Sequence, residues 1–265
     1  AIMTGLRGLN AVVTGSTSGI GLGIANGLAE SGMNVVINGM GTDEEKQAIS
    51  TRIQNDFGVK APVLDADLTM GAEARGLIQQ ASDHLGSVDV LVNNAGVQHV
   101  SRIEEFPDDK WDQIINLNLS ASFHTTKAAL PGMRQRGYGR VINIASAHGL
   151  VASPYKSAYV AAKHGVVGLT KTIGLEVAEE PDLTVNAICP AYVRTPLVEG
   201  QIADQARAHG MSEDQVIRDV ILAAQPNKRF VTIDELVAFT RLLCSHEGRS
   251  FNGAALPMDG AWTAR

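Results

Sequence analysis

Asn10-Ala11-Val12-Val13-Thr14-Gly15-Ser16-Thr17-Ser18-Gly19-Ile20-Gly21 passes from an apolar run through a glycine turn into a segment of helical spacing that continues to Ser31. Apolar residues in a continuous run, without polar alternation, mark a strand covered on both faces. Gly15, Gly19 and Gly21 remove Cβ atoms from the turn, so a pyrophosphate can approach the backbone while the amino terminus of the next helix faces its charge. The spacing is G-x-x-x-G-x-G and not G-x-G-x-x-G, so the glycines alone are weak evidence and the rest of the chain must support them.

The same unit recurs along the chain. Apolar runs return at Asn34 to Asn38, Ala61 to Leu64, Val88 to Val92, Arg140 to Ala145 and Leu183 to Cys189. Between them, Asp43 to Phe57, Ala72 to Leu85 and Ala158 to Glu179 have helical length and spacing. Strands alternating with helices predict a parallel sheet, and right-handed crossovers wind it in both directions with helices on both faces. The expected fold class is therefore α/β, a Rossmann-type doubly wound parallel sheet forming a single domain over 1–265. Ligands bind such sheets outside the carboxyl ends of the strands, where the winding reverses. Gly15, Asn93-Asn94-Ala95-Gly96, Ser146 and Pro190-Ala191-Tyr192 all fall at predicted strand ends. A long excursion, about 195–228, precedes a last helix and is a candidate lid.

Composition restricts the partners. Of 265 residues 45% are apolar, 19% charged and 27 in number are glycine, an ordinary mixture for a water-soluble domain. A net charge of -6 with scattered basic residues argues against nucleic acid. Cys189 and Cys244 are too few and too distant for a metal set or a disulfide framework and are expected as reduced core thiols. No run approaches the roughly 18 apolar residues of a spanning helix, and Ala1-Ile2-Met3-Thr4 carry no signal features, so no membrane partner and a cytoplasmic location are expected.

The end of the second strand reads the adenosine ribose in sheets of this kind, through an acid for NAD or a base for a 2′-phosphate. Here it reads Asn38-Gly39-Met40-Gly41, with neither. Ser18 is not basic, no Lys or Arg lies between Arg7 and Lys46, and Asp43, Glu44 and Glu45 come soon after, so an added phosphate would go unneutralised and NAD is favoured. Asp67-Leu68 can cap the adenine edge, or Asp67 can equally serve as a helix N-cap or loop aspartate.

Tyr159 and Lys163 stand four apart on a predicted helix, thirteen and seventeen residues beyond Ser146. Residues at i and i+4 share a face, so phenol and ammonium can line one cleft. A phenol of ordinary pKa near ~10 is a poor base at neutral pH, and the Lys163 cation is expected to favour its phenolate. Ser146 can polarise a substrate oxygen. An acid/base group beside a bound dinucleotide suits hydride transfer between a nicotinamide and an alcohol or ketone. Gln98, His148, Lys156 and Gln201 lie near these motifs in the sequence and would supply the donors and positive charge that a small carboxylate needs.

Taken together, Thr14-Gly15-x-x-x-Gly19-Ile20-Gly21, Asn93-Asn94-Ala95-Gly96, Asn118 in Asn116-Leu117-Asn118-Leu119, Ser146, Tyr159-x-x-x-Lys163 and Pro190 resemble the short-chain dehydrogenase/reductase family from Leu9 to Trp262. The resemblance implies that Tyr159 is the general acid/base, Lys163 also binds the nicotinamide ribose, Ser146 orients substrate and Asn118 holds a water. It further implies a cofactor site drawn from Gly15, Thr17, Ser18, Gly19, Ile20, Gly21, Asn38, Asp67, Leu68, Asn94, Ala95, Gly96, Tyr159, Lys163, Pro190, Val193 and Thr195, with no metal. Within the family, Asn94 to His99, Ala145 to Ser157 and Thr195 to Val198 resemble members acting on small 3-hydroxy acids of R configuration. In those, the positions of Gln98, His148, Lys156 and Gln201 hold a carboxylate, and Trp262 helps close the pocket. Tyr192 departs from them, since they often carry Trp there. The resemblance also implies a homotetramer. Two rivals remain, an NADPH-dependent 3-oxoacyl carrier-protein reductase and a non-catalytic NAD-binding regulatory protein.

Overall fold

A computed structural model describes residues 5–265, the side chain of Leu197 excepted; Ala1 to Thr4, with the amino-terminal expectation placed on them, lie outside the described residues. The first apolar runs form β1 (Asn10–Val13) and β2 (Asn34–Ile37). β3 (Val90–Asn93), β4 (Gly139–Ile144) and β5 (Leu183–Pro190) come next, each buried along its whole length. With β6 (Ala255–Met258) they make one parallel sheet in the order β2-β1-β3-β4-β5-β6. The winding reverses between β1 and β3, whose residues Ala11 and Val90 are paired.

Alternate residues of each strand enter different cores. Ala11 and Val13 face a cluster completed by Ile24, Ile53, Leu236 and Leu243. Those residues lie on α1 (Gly19–Glu30), α2 (Asp43–Phe57) and α9 (Ile233–Cys244). Val12 faces the opposite cluster with Leu77, Met133 and Ile173. These belong to α3 (Gly71–Leu85), α5 (Ala121–Arg136) and α6 (Ser157–Glu176). Both faces of the sheet are covered, as continuous apolar strands require.

Two predicted details change. Ala61 to Leu64 forms no strand: only Val63 bridges to Ile37, because Pro62 has no N–H to offer a ladder. The segment still runs beside β2, accepting from Ile37 N at Pro62 O (2.9 Å) and donating from Leu64 N to Ile37 O (3.0 Å). β6 is an addition to the expected strands, since Ala-Leu-Pro-Met is short and carries Pro257, a residue an edge strand tolerates.

The excursion after β5 is helical. α7 (Pro196–His209), α8 (Glu213–Val216) and a π-helical turn (Ile217–Ile221) enclose a small core of Ile202, Val216, Ile221, Leu222 and Phe230, distinct from the sheet cores. The two remaining pieces that matter to the site are α4 (Asp108–Ile115) and the π-helical turn Asn116–Ser120 that joins it to α5.

Candidate active site

The turn from β1 into α1 is shaped for an anion. Gly15 has φ 63°, and a Cβ added at Gly21 would collide with the Gly15 carbonyl and the Asn94 amide. Ser18, at the N-cap of α1, makes no side-chain cap hydrogen bond, so its hydroxyl leaves the first-turn N–H groups free to face a ligand. Thr14 Oγ1 accepts from Asn94 N (2.9 Å) and Ala95 N (3.0 Å), and Asn94 Nδ2 donates to Thr14 O and Gly15 O, both at 3.2 Å. These bonds bring the loop after β3 against the glycine turn.

The result is a cavity of about 660 Å³, within the range for cofactor sites. Gly15, Thr17, Ser18, Gly19 and Ile20 are among the residues that line it, with Asn38, Asp67 and Leu68 and with Asn94, Ala95, Gly96 and Thr195. A dinucleotide fits this cradle by its size, its glycines and its helix terminus. Pro190 closes β5 and Val193 is buried and bridged to Val231, and neither lines the cavity. Asn38 is buried with its amide donating to Leu64 O (3.0 Å), and Gly39 and exposed Met40 line the cavity beside it. Asp67 caps no helix, because Met70 is the N-cap of α3; its carboxylate instead accepts from Thr69 N and Oγ1.

Asn118, Ser146, Tyr159 and Lys163 come from three elements. Asn118 lies in the π-helical turn before α5, a local break of the kind that recurs at functional sites. Its amide is pinned on both sides to Val97, donating to the carbonyl at 3.0 Å and accepting from the N–H at 2.9 Å. Ser146, two residues beyond β4, accepts from His148 N at 3.1 Å and is hydrogen-bonded to the half-buried Tyr159 phenol. Lys163 is buried, donates to Ile144 O at 2.8 Å and holds its Nζ 5.5 Å from the Tyr159 ring centre.

The electrostatics correct one expectation. Burial pushes the Tyr159 phenol up from its ordinary value, with the Ser146 hydrogen bond opposing and nearby Tyr192 adding to the rise. Lys163, expected to favour the phenolate, is itself lowered to about 8 by burial, and the carbonyl of Ile144 holds its ammonium. At Tyr159 desolvation therefore outweighs the Ser146 hydrogen bond.

Beyond Tyr159 lies a polar and aromatic wall. His148 meets Trp262 edge-on at 5.2 Å and Tyr159 at 6.0 Å, and its Nε2 is 2.7 Å from Ser153 Oγ. Burial and the Lys156 charge lower His148 to about 4, so at neutral pH it is a neutral ring rather than a cation. Tyr192 stacks parallel to Trp262 at 6.2 Å, and Lys156 Nζ donates to Tyr192 Oη at 3.4 Å. Gln98 and Gln201 are not gathered into this wall: both are exposed, and Gln98 Oε1 accepts from His99 N.

Several supporting residues escape a reading of the sequence. Thr125 Oγ1 donates to Asn93 Oδ1 (2.7 Å), Asn93 Nδ2 to Asn143 Oδ1 (2.9 Å) and Asn143 Nδ2 to Thr170 Oγ1 (3.0 Å), all four residues buried. This chain of bonds ties α5 and α6, the second of which carries Tyr159 and Lys163, to β3 and β4. A lone Asn inside the apolar run Arg140 to Ala145 is the available signal. Asp259 is the other omission: its carboxylate accepts from Thr263 N (3.0 Å) and Oγ1 (2.5 Å), folding the turn that aims Trp262.

The sequence matches the short chain dehydrogenase family over residues 9–206, and the chain belongs to that family. It is 51% identical over 255 residues to a D-beta-hydroxybutyrate dehydrogenase of Rhizobium meliloti (strain 1021), covering 96% of this chain and 98% of that one. A D-beta-hydroxybutyrate dehydrogenase of Cupriavidus necator is 49% identical over 261 residues, covering 98% and 100%. Among solved structures, the L-sorbose reductase of Gluconobacter frateurii, complexed with NADPH and L-sorbose, superposes with a TM-score of 0.91 at 29% identity, covering 98% of each chain.

Proposed function

We propose that this chain oxidises (R)-3-hydroxybutyrate to acetoacetate, reversibly, with NAD. The observation that carries the reading is the placement of one ammonium, Lys156, beside neutral His148 and within the same wall as the Tyr159 acid/base group. A short acid can then present its carboxylate to Lys156 and its hydroxyl to Tyr159. The two relatives that share about half of the sequence support this substrate. NAD is favoured because no Lys or Arg lines the described cavity, leaving a 2′-phosphate without a counter-charge.

Bound nicotinamide supplies the hydride acceptor for C3. The remaining work belongs to the chain. Ser146 donates its hydroxyl hydrogen to the substrate oxygen, and Tyr159 Oη takes the proton as the carbonyl forms. Lys163 lends positive charge to the phenolate and binds the ribose, and Asn118 holds a water that connects Lys163 to solvent. α7 and α8 close over the substrate as a lid and bring Gln201 to the carboxylate, which Gln98, on the loop after β3, meets from the other side. The enzyme works in the cytoplasm as a homotetramer, its self-association supported by the apolar face of Phe239, Leu242, Leu256 and Met258; no described helix is long and apolar enough to cross a membrane.

The test is NADH formation, followed by its near-ultraviolet absorbance at mildly alkaline pH, with (R)- and (S)-3-hydroxybutyrate and with NAD or NADP. R-selective, NAD-dependent turnover is expected. Turnover with NADP alone, or of 3-oxoacyl thioesters in preference to the acid, would replace this reading with the reductase alternative.

A further inference from the structure

Lys156 is held in an unusual way. It occupies the N-cap position of α6, and the residue before it, Tyr155, has φ 68°, a conformation that costs a bulky side chain free energy. The Tyr155 carbonyl accepts from Ser101 N at 2.9 Å, which fixes the bend. Among the described residues no carboxylate pairs with the Lys156 ammonium; its side-chain partner is the phenol of Tyr192, thirty-six positions away in sequence. The ammonium lies 5.7 Å from the Tyr192 ring centre and 3.4 Å from its oxygen, so the oxygen and not the ring face is the main contact.

Tyr192 is in turn fixed by three contacts. Its carbonyl accepts from Val231 N at 3.0 Å, its ring joins the lid core, and the ring lies within 5° of parallel to Trp262. A phenol oxygen that accepts from an ammonium keeps its own hydrogen free to donate. The ammonium likewise keeps two of its three hydrogens. A cation without an acid partner, beside a hydroxyl with a free donor, is complementary to the two oxygens of one carboxylate.

We propose that Tyr192 and Lys156 form a joint carboxylate receptor, in which the Tyr192 hydroxyl both positions the ammonium and donates to the second carboxylate oxygen. This rests on the 3-hydroxybutyrate reading and names a residue that adds, in this chain, to the preference of the site for acids over neutral alcohols. A tryptophan at this position would preserve an aromatic stack on Trp262 but offer no oxygen to accept from Lys156. Tyr192 is thus a specificity residue and not only a wall.

The test compares wild type with Tyr192→Phe, Tyr192→Trp, Lys156→Ala and the double variant Tyr192→Phe/Lys156→Ala. Each is assayed on (R)-3-hydroxybutyrate and on its methyl ester, which lacks the charge. Loss of a hydrogen bond to a charged group predicts a KM for the acid about tenfold higher in Tyr192→Phe and Tyr192→Trp, with a much smaller change in the ester KM. In the Lys156→Ala background the further loss of the hydroxyl should raise the acid KM by a smaller factor, because part of its role is to hold the ammonium.

Titration calorimetry of the NADH-loaded enzyme with butyrate, which has the carboxylate and no reacting hydroxyl, gives a readout independent of turnover. Its Kd should rise by the same factor in Tyr192→Phe. An acid KM and a butyrate Kd that are unchanged in Tyr192→Phe would overturn the receptor while leaving the substrate reading intact. Equal KM increases for acid and ester would also overturn it, since they would reveal only a packing role. If wild type fails to oxidise the acid yet binds butyrate in a Tyr192-dependent way, the receptor stands and the substrate reading falls.

Discussion

Tyr159 is pulled in two directions by its surroundings: burial, with Tyr192 adding to it, raises its pKa, while the Ser146 hydrogen bond lowers it. Oxidation needs the phenolate as base, so its rate should climb with pH through the mildly alkaline range, and acetoacetate reduction, which needs the phenol, should fall over the same range. Tyr159→Phe should lower turnover by about 10³-fold while NADH titration still shows binding; retained turnover would remove Tyr159 from the chemistry. His148 makes a stability prediction. Its folded-state value is about 4 against 6.5 for the free group, so the unfolded chain takes up a proton first as pH falls. Its contribution is complete above about 6.5 and is lost progressively down to about 4. Calorimetric Tm measured between pH 7 and pH 4 should fall less steeply in His148→Asn, and an unaltered slope would mean that other groups set the acid sensitivity. The thiols take no part, because burial pushes Cys189 up to about 11 and Cys244 up to about 12.

At the level of elements, α6 is fastened to β4 at two heights. Lys163 Nζ reaches Ile144 O, and seven residues later Thr170 Oγ1 accepts from Asn143 Nδ2. Thr125 and Asn93 repeat the arrangement for α5 and β3. Thr170→Val keeps the shape but strands the buried Asn143 amide, a loss of about 1–3 kcal/mol. That corresponds to a Tm lower by roughly 2–4 °C per kcal/mol in a domain of this size. Thr170→Ser should recover most of it, and a Thr170→Val protein as stable as wild type would show that the amide finds water. The helices themselves are legible in the sequence: α2 spans the predicted Asp43 to Phe57, with Thr42 and Glu45 completing its capping box. Less legible is the segment from Ala61 to Leu64, where apolar composition suggests a strand and Pro62 leaves a single bridge.

Across the whole molecule, the helical excursion after β5, proposed above as a lid, is the part with its own small core. Leu222 is fully buried there, away from both clusters that flank the sheet. A local unit with few cross-contacts opens independently of the global transition. Leu222→Ala should therefore speed hydrogen exchange over 196–222 and raise the substrate KM several-fold, with a far smaller change in global Tm than a comparable truncation at Ile142. Equal Tm losses at the two positions would show that the lid unfolds with the sheet.

The parallel sheet, its glycine turn, the Tyr159–Lys163 face and the class of chemistry were determined by the sequence alone, because strand burial and i, i+4 spacing are written along a continuous stretch of chain. The charge states of His148 and Tyr159, the seating of Lys163 on Ile144, the pairing of β6 with β5 and the meeting of Lys156 with Tyr192 were decided only by the tertiary structure. Each of these depends on groups brought together from distant positions, and on the water their packing excludes, neither of which any local pattern of residues records.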